Sequence, residues 1–190
     1  MSMKEEKAAL RHQIWAELAE MTEEERAKSD DEIFERFLAL PEVENAKVFF
    51  AFWGMPGKEP NTALLIEKLM ERGKIVGLPL MRPGHQMEVR RYDPAIPLVL
   101  HKFGILEPST ECELIPKEDV DFVLTPAVAY DKQGYRMGFG GGYYDRFFGK
   151  FRPASIGVIY EEFILRSVPH GRFDISVDVV VSERGIYACK

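Results

Sequence analysis

The run Gly138-Phe139-Gly140-Gly141-Gly142-Tyr143-Tyr144-Asp145-Arg146 gathers more residues suited to chemistry than any other stretch of the sequence. Four of its first five residues are glycine, so the backbone can adopt φ > 0 and bring its N–H groups close to a ligand. Tyr143-Tyr144-Asp145-Arg146-Phe147-Phe148 reads as the opening turn of a helix. A bare loop feeding a helix N-terminus suits an anion, because unpaired amides and the helix dipole both favour negative charge. Asp145, in that first turn, can hold a cation that accompanies a phosphate. The chemistry indicated is nucleotide-phosphate binding.

Familiar phosphate-loop patterns fit badly. Gly149-Lys150-Phe151 lacks the hydroxyl and the upstream glycine of a P-loop. A dinucleotide fingerprint begins at Gly138 and Gly140 but meets Tyr143 where its third glycine belongs. Glu161-Glu162 follows an apolar run at the place of a ribose-binding carboxylate, which keeps a dinucleotide-dependent oxidoreductase open. A plain exposed Gly-rich turn also stays open, although the Tyr-Tyr-Asp-Arg continuation argues against it.

Other residues can serve such a loop. Arg136 precedes the glycines, where a guanidinium can reach phosphate oxygens. Lys7 and Arg11 are four apart, on one face of a predicted helix. Glu59 sits just before another predicted helix, either as a ligand-binding carboxylate or as a charge favoured by the helix dipole. Asp174 and Asp178 flank the last predicted strand as caps or turn formers. His12, His85, His101 and His170 form no metal or triad pattern, and no serine sits in a nucleophile elbow. The lack of a nucleophile points to chemistry by positioning and electrostatics, as in phosphoryl transfer.

The elements must place these residues together. The chain's 190 residues suit one domain, and 46% hydrophobic with 29% charged residues describes an ordinary globular protein. A net charge of −6 argues against a dedicated nucleic-acid binder. Cys112 and Cys189 fit no metal spacing and read as reduced thiols. No secretory signal or membrane-length apolar run is visible, so the expectation is a cytoplasmic protein with no membrane partner and no obligatory protein partner.

Apolar residues at Leu10, Ile14, Leu18 and Met21 predict a first helix from Lys4 to Glu20. Thr22 and Glu25 form a capping box for a second, through Ile33, Phe34, Phe37 and Leu38. Val48 to Trp53 reads as a buried strand, followed by the loop Gly54 to Asn61 and a helix carrying Leu64 to Met70. Further strands are predicted over Lys74–Leu80, Met87–Tyr92, Asp121–Thr125, Ser155–Tyr160 and Val177–Val181. Alternating strands and helices predict a single three-layer α/β/α domain with a mostly parallel open sheet. Ligands then bind beyond the carboxyl ends of the strands, where both the glycine loop and the Gly54–Asn61 loop are expected.

Ordered motifs along nearly the whole chain carry a family resemblance. They are Lys7-Ala8-Ala9-Leu10-Arg11, Glu59-Pro60-Asn61-Thr62, Gly104-Ile105-Leu106-Glu107-Pro108, Asp121 to Pro126, Gly134 through Arg146, and Pro169 with Asp174. On these residues the sequence resembles the 5-formyltetrahydrofolate cyclo-ligases, also called 5,10-methenyltetrahydrofolate synthetases. The resemblance implies an open α/β sheet related to sugar-phosphate isomerases and CoA transferases. It implies ATP-dependent conversion of 5-formyltetrahydrofolate, with or without a polyglutamate tail, into 5,10-methenyltetrahydrofolate, with no protein nucleophile. It implies ATP contacts from Lys7, Arg11, Arg136, Met137, Gly138, Phe139, Gly140, Gly141, Gly142, Tyr143 and Tyr144. Folate binding is implied for Gly54, Met55, Glu59, Phe139, Gly140, Gly141, Gly142 and Tyr143, and magnesium for Asp145 and Asp174.

Three positions depart from the family's pattern. Phe163 replaces a common glutamine, Phe173-Asp174 a usual His-Asp, and Phe139 a frequent Arg or Lys. They leave a non-catalytic folate- or nucleotide-binding regulator as an alternative.

Overall fold

The computed structural model describes residues 2–189. Helices α1 (Met3–Glu20) and α2 (Glu23–Leu38) each open on a reciprocal capping box, Ser2 with Glu5 and Thr22 with Glu25. In the second, the Glu25 N–H donates to Thr22 Oγ1 at 3.1 Å while the Thr22 N–H donates to Glu25 Oε2 at 2.8 Å. Two orphan donors of the helix start are thereby satisfied. A one-turn helix α3 (Pro41–Asn45) follows, with proline pre-set for the first helical position.

The chain then runs through β1 (Val48–Phe50), α4 (Thr62–Glu71), β2 (Ile75–Arg82) and β3 (Gln86–Arg91). Short strands β4 (Val99–Leu100), β5 (Leu106–Glu107) and β6 (Leu114–Ile115) lead to β7 (Phe122–Thr125). The hairpin β8 (Ala129–Asp131) and β9 (Arg136–Met137) carries the chain to α5 (Tyr143–Phe148), and β10 (Ala154–Val158) re-enters the sheet. Strands β11 (Ile164–Leu165), β12 (Val179–Val181) and β13 (Ile186–Ala188) complete it.

The main sheet has eight strands in the order β13-β12-β10-β7-β1-β2-β3-β6. The five from β12 to β2 are parallel, and β13, β3 and β6 add antiparallel edges. Strand alternation sends side chains to two cores. Phe49, Phe122 and Leu124 pack with Ile14 and Leu18 of α1, Phe34 and Phe37 of α2, and Leu65 and Leu69 of α4. Phe50 and Val123 pack with Phe147 and Phe148 of α5. The expected three layers are present, with the second layer of helix reduced to α5.

Two expectations are corrected. The run Val48–Trp53 pairs as a strand only through Phe50, although the Ala51 N–H still donates to the Gly77 carbonyl at 2.9 Å. Beyond it Thr62 Oγ1 turns the chain by donating to the Phe52 carbonyl and accepting from the Gly54 N–H. The glycine loop follows β9, which belongs to a separate three-stranded sheet β11-β8-β9 and not to the main sheet.

That small sheet is keyed to the main one by Tyr130. Its buried hydroxyl donates to the Thr125 carbonyl at 2.7 Å, and its ring fills the space above Gly157 of β10. A Cβ at Gly157 would lie 2.2 Å from Tyr130 Cζ. Gly157→Ala is therefore expected to cost about 2 kcal/mol or more, the scale of overpacking a closed core. Urea unfolding checks this, and an unchanged midpoint would show that the ring can move aside.

Candidate active site

Helix α1 carries Arg11 to the glycine loop and Lys7 to Asp174. Arg11 Nε donates to the Gly138 carbonyl at 2.8 Å, and Lys7 Nζ lies 3.4 Å from Asp174 Oδ2. Arg146 Nη1 donates to the Gly141 carbonyl at 2.8 Å. Two guanidinium groups thus engage carbonyls of the loop. Among the described residues, no N–H from Gly138 to Gly142 donates to a protein acceptor. Gly140 (φ 101°) and Gly142 (φ 64°) hold left-handed conformations that side-chain-bearing residues resist. Helix α5 has only six residues, so the loop amides and nearby cations, more than a helix dipole, set the local field.

Arg136 sits differently from the sequence expectation. Its guanidinium is buried and donates to Asp145 Oδ1 at 2.8 Å and to the Ile175 carbonyl, between the rings of Tyr144 and Phe148. The Ile175 N–H also donates to Asp145 Oδ1, at 3.0 Å. Arg136 is thereby committed to bracing the loop rather than extended toward a phosphate. Met137 is fully buried in the core, and its carbonyl accepts from the Val128 N–H at 2.7 Å. Neither side chain is presented to a ligand.

Asp145 and Asp174 meet the same segment, Asp174 Oδ2 accepting from the Gly171 N–H at 2.7 Å. Each carboxylate uses one oxygen for these hydrogen bonds. No group of three or more His, Cys, Asp or Glu is arranged for a metal among the described residues. Magnesium commonly takes only one or two carboxylates, together with substrate phosphates, so the lack of a larger cluster does not conflict with it.

The second half of the site is the Gly54–Asn61 loop. Close approach makes Gly54 necessary, since a Cβ there would lie 2.2 Å from the Pro60 carbonyl oxygen. Buried Asp30 holds the far end, accepting from the Asn61 N–H at 3.0 Å and from the Tyr160 hydroxyl at 2.9 Å. Glu59 is only 6% exposed. Its Oε2 accepts from the Met55 N–H at 2.9 Å, while its Oε1 is buried with no partner. Burial pushes the Glu59 carboxyl up to about 7, against the opposing pull of the Met55 N–H and Lys58. The helix-dipole alternative for Glu59 fails, because it is buried and its bond goes to Met55.

Tyr144 links the halves. Its ring stacks on Phe50 with centroids 5.9 Å apart, its hydroxyl is buried without a partner, and burial plus the charge of Glu59 raise its pKa. Unpaired buried polar atoms are costly, and Glu59 Oε1 and the Tyr144 hydroxyl are two of them.

Sequence reading missed three neighbours of this site. Trp15 of α1 stacks on Phe139 with centroids 6.1 Å apart, and Lys58 Nζ lies 4.8 Å from the Trp15 ring. His85, in a left-handed conformation (φ 57°) between β2 and β3, packs on Tyr143 at 5.2 Å. Trp15 continues the four-residue spacing of Lys7 and Arg11, a signal available in the sequence. Of the departures, Phe163 is core, Phe173 is 74% exposed, and Phe139 belongs to the Trp15 stack. Of the acidic pair behind the dinucleotide alternative, Glu161 accepts from Tyr187 and Ser182, while Glu162 is exposed. Two cavities, of about 470 and 240 Å³, are lined by none of the predicted site residues.

Among the described residues the site joins a largely parallel α/β sheet, a loop of amides without protein acceptors, and a buried carboxylate oxygen without a donor. The chain belongs to the 5-formyltetrahydrofolate cyclo-ligase family, whose sequence model matches residues 3–183. It is 31% identical over 182 residues to the 5-formyltetrahydrofolate cyclo-ligase of Haemophilus influenzae, covering 90% of this chain and 97% of that one. Its fold matches the NMR structure of Aquifex aeolicus 5,10-methenyltetrahydrofolate synthetase with a TM-score of 0.84 at 32% identity, covering 97% and 93% of the two chains. A 5,10-methenyltetrahydrofolate synthetase from Mycoplasma pneumoniae shares the fold at 21% identity, with a TM-score of 0.74 over 93% and 98% of the chains.

The Glu59 carboxyl titrates near 7 in the folded protein against 4.5 ordinarily. The stability given by its protonated form is complete below about pH 4.5 and is lost as pH rises through 7. The gap corresponds to roughly 3 kcal/mol. Glu59→Gln cannot titrate, so without ligand its stability should fall less than wild type between pH 5 and 8, by about 2 kcal/mol or more. Urea unfolding at both pH values measures this, and parallel profiles would show that water reaches the carboxylate.

Proposed function

We propose that the protein converts 5-formyltetrahydrofolate and ATP into 5,10-methenyltetrahydrofolate, ADP and phosphate. One observation carries the reading: the Gly138–Gly142 loop, whose amides have no protein acceptor, runs directly into Tyr144, whose buried, unpaired hydroxyl feels the charge of Glu59, itself with an unpaired, buried Oε1. The amides suit a triphosphate, and a carboxylate in a closed pocket suits the N–H donors of a pterin. The names of the relatives support the same assignment.

The chemical problem is that a formamide oxygen is a poor leaving group. The formyl oxygen attacks the γ-phosphorus, and the bond to the β,γ-bridging oxygen breaks, its electron pair leaving on ADP. The formyl carbon is now electrophilic and carries phosphate as its exit route. N10 of the same folate attacks that carbon, the carbon–oxygen bond breaks to release phosphate, and N10 gives up its proton to solvent. The substrate's own skeleton supplies the proximity of N10.

The protein's task is alignment and charge stabilisation. In this reading the loop amides bind phosphate oxygens, with Lys7 and Arg11 adding positive charge. Arg136 keeps the loop in place through Asp145. Glu59 orients the pterin, and its donors draw the carboxyl back to the ionised form with release of a proton. Asp145 and Asp174 would hold magnesium with the phosphates, and the ion supplies neutralising charge for the triphosphate.

Mixing the protein with ATP, a divalent cation and 5-formyltetrahydrofolate should produce the methenyl chromophore, with nothing formed when any one is omitted. Binding of both ligands without product would identify a regulator instead. Arg11→Ala should weaken ATP binding by about 1.5–3 kcal/mol, the range for hydrogen bonds to charged groups, while folate affinity holds. Calorimetric titration with each ligand checks that division.

A further inference from the structure

Four cations ring the glycine loop, and each already has an oxygen partner. Lys7 meets Asp174, Arg11 the Gly138 carbonyl, Arg136 Asp145, and Arg146 the Gly141 carbonyl. A fifth, Lys58, does not. Its chain neighbour Glu59 is buried, yet Lys58 is exposed, and its ammonium rests 4.8 Å from the centre of the Trp15 ring. No hydrogen bond to a protein oxygen holds that ammonium among the described residues.

The place of this ammonium is specific. Trp15 stacks on Phe139 of the glycine loop, so Lys58 lies against the nucleotide half of the site. It is also one residue from the carboxylate that awaits the pterin, and its charge is felt there. A compact ammonium on a flexible stem, held only by an indole face, is free to exchange that face for a stronger anion. An exposed cation–π contact is weaker than a charge-assisted hydrogen bond to phosphate.

We propose that Lys58 is a further phosphate-binding residue, parked on Trp15 in the free protein and transferred to the γ-phosphate when ATP occupies the loop. This rests on the ATP-dependent reading above. The γ-phosphate is the part of the nucleotide that must meet the formyl group, and the formyl group travels with the pterin beside Glu59. Lys58 is linked to both, through Trp15 to Phe139 of the loop and by its charge to Glu59. Lys7 and Arg11 approach from α1, on the loop's other neighbours, and are already engaged. Lys58 therefore distinguishes a triphosphate from a diphosphate, where the loop amides alone would hold either.

The test compares binding of magnesium ADP with that of its non-hydrolysable triphosphate counterpart, the β,γ-imido analogue of ATP. Lys58→Met keeps the apolar stem on Trp15 and removes the charge, and the side chain's exposure keeps the fold unaffected. The variant should bind the triphosphate analogue at least tenfold more weakly and ADP within twofold of wild type, with Lys58→Arg recovering most of the loss. A Trp53→Phe background leaves Trp15 as the sole indole of the chain's two tryptophans. In that background, Trp15 emission should change on adding the triphosphate analogue, change little with ADP, and stay unchanged in Lys58→Met. Equal losses for both nucleotides, or no loss for either, would overturn the assignment of Lys58 and leave the ATP reading standing. Failure of the wild type to bind either nucleotide would bring down both.

Discussion

The buried pair between Arg136 and Asp145 is the contact on which the geometry of the site depends. Arg136 leaves β9 just before the glycine loop, and Asp145 lies in α5 just after it. Their 2.8 Å hydrogen bond therefore closes the loop upon itself. The same aspartate and arginine clasp the main chain of Ile175, bringing the 171–175 segment and Asp174 alongside. A loop rich in glycine has little side-chain packing and a large entropy to lose on ordering. An internal ion pair at its base limits that loss, and its amides stay unpaired because the bracing comes from below.

The bracing also explains why the cations are distributed as they are. Arg11 and Arg146 bind loop carbonyls, which leaves the opposite ends of the peptide units free of protein partners. The loop's Gly138 and Gly141 carbonyls are occupied while its amides have no protein acceptor. The Gly54–Asn61 loop obeys the complementary rule. Thr62, Asp30 and the Met55 N–H hold its backbone, while one oxygen of Glu59 is left without a donor. One half of the site is short of acceptors and the other short of donors, and a ligand pair of opposite character resolves both.

Much of this was legible in the sequence. The spacing of Lys7 and Arg11, the Thr22–Glu25 box, the short apolar strands and the glycine block each encode a local rule, and local rules survive folding. What was hidden depended on side-chain direction. Arg136 reads as a phosphate ligand from its place in the chain, and only the position of α5 turns it inward to Asp145. The hairpin that carries β8 and β9 away from the main sheet is set by Tyr130 filling the space over Gly157, a contact between residues 27 apart that no period announces. Trp15 was within reach, but reading the first helix for its core face at Leu10, Ile14 and Leu18 drew attention from the next face round.

That helix shows why core and site cannot be separated here. Ile14 and Leu18 are buried against the sheet, while Lys7, Arg11 and Trp15 meet the glycine loop and its neighbours from the same rigid cylinder. The position of three site residues is fixed by how two aliphatic side chains seat in the core. Close packing transmits small displacements, and catalysis by alignment is sensitive to shifts of an ångström. A conservative change such as Ile14→Val removes one methylene and costs only about 0.5–1.5 kcal/mol of stability. It nevertheless acts on the helix that carries Arg11 to Gly138. In the proposed reaction, where alignment rather than a protein nucleophile does the work, the apolar stripe of α1 belongs to the functional architecture as fully as its charged face.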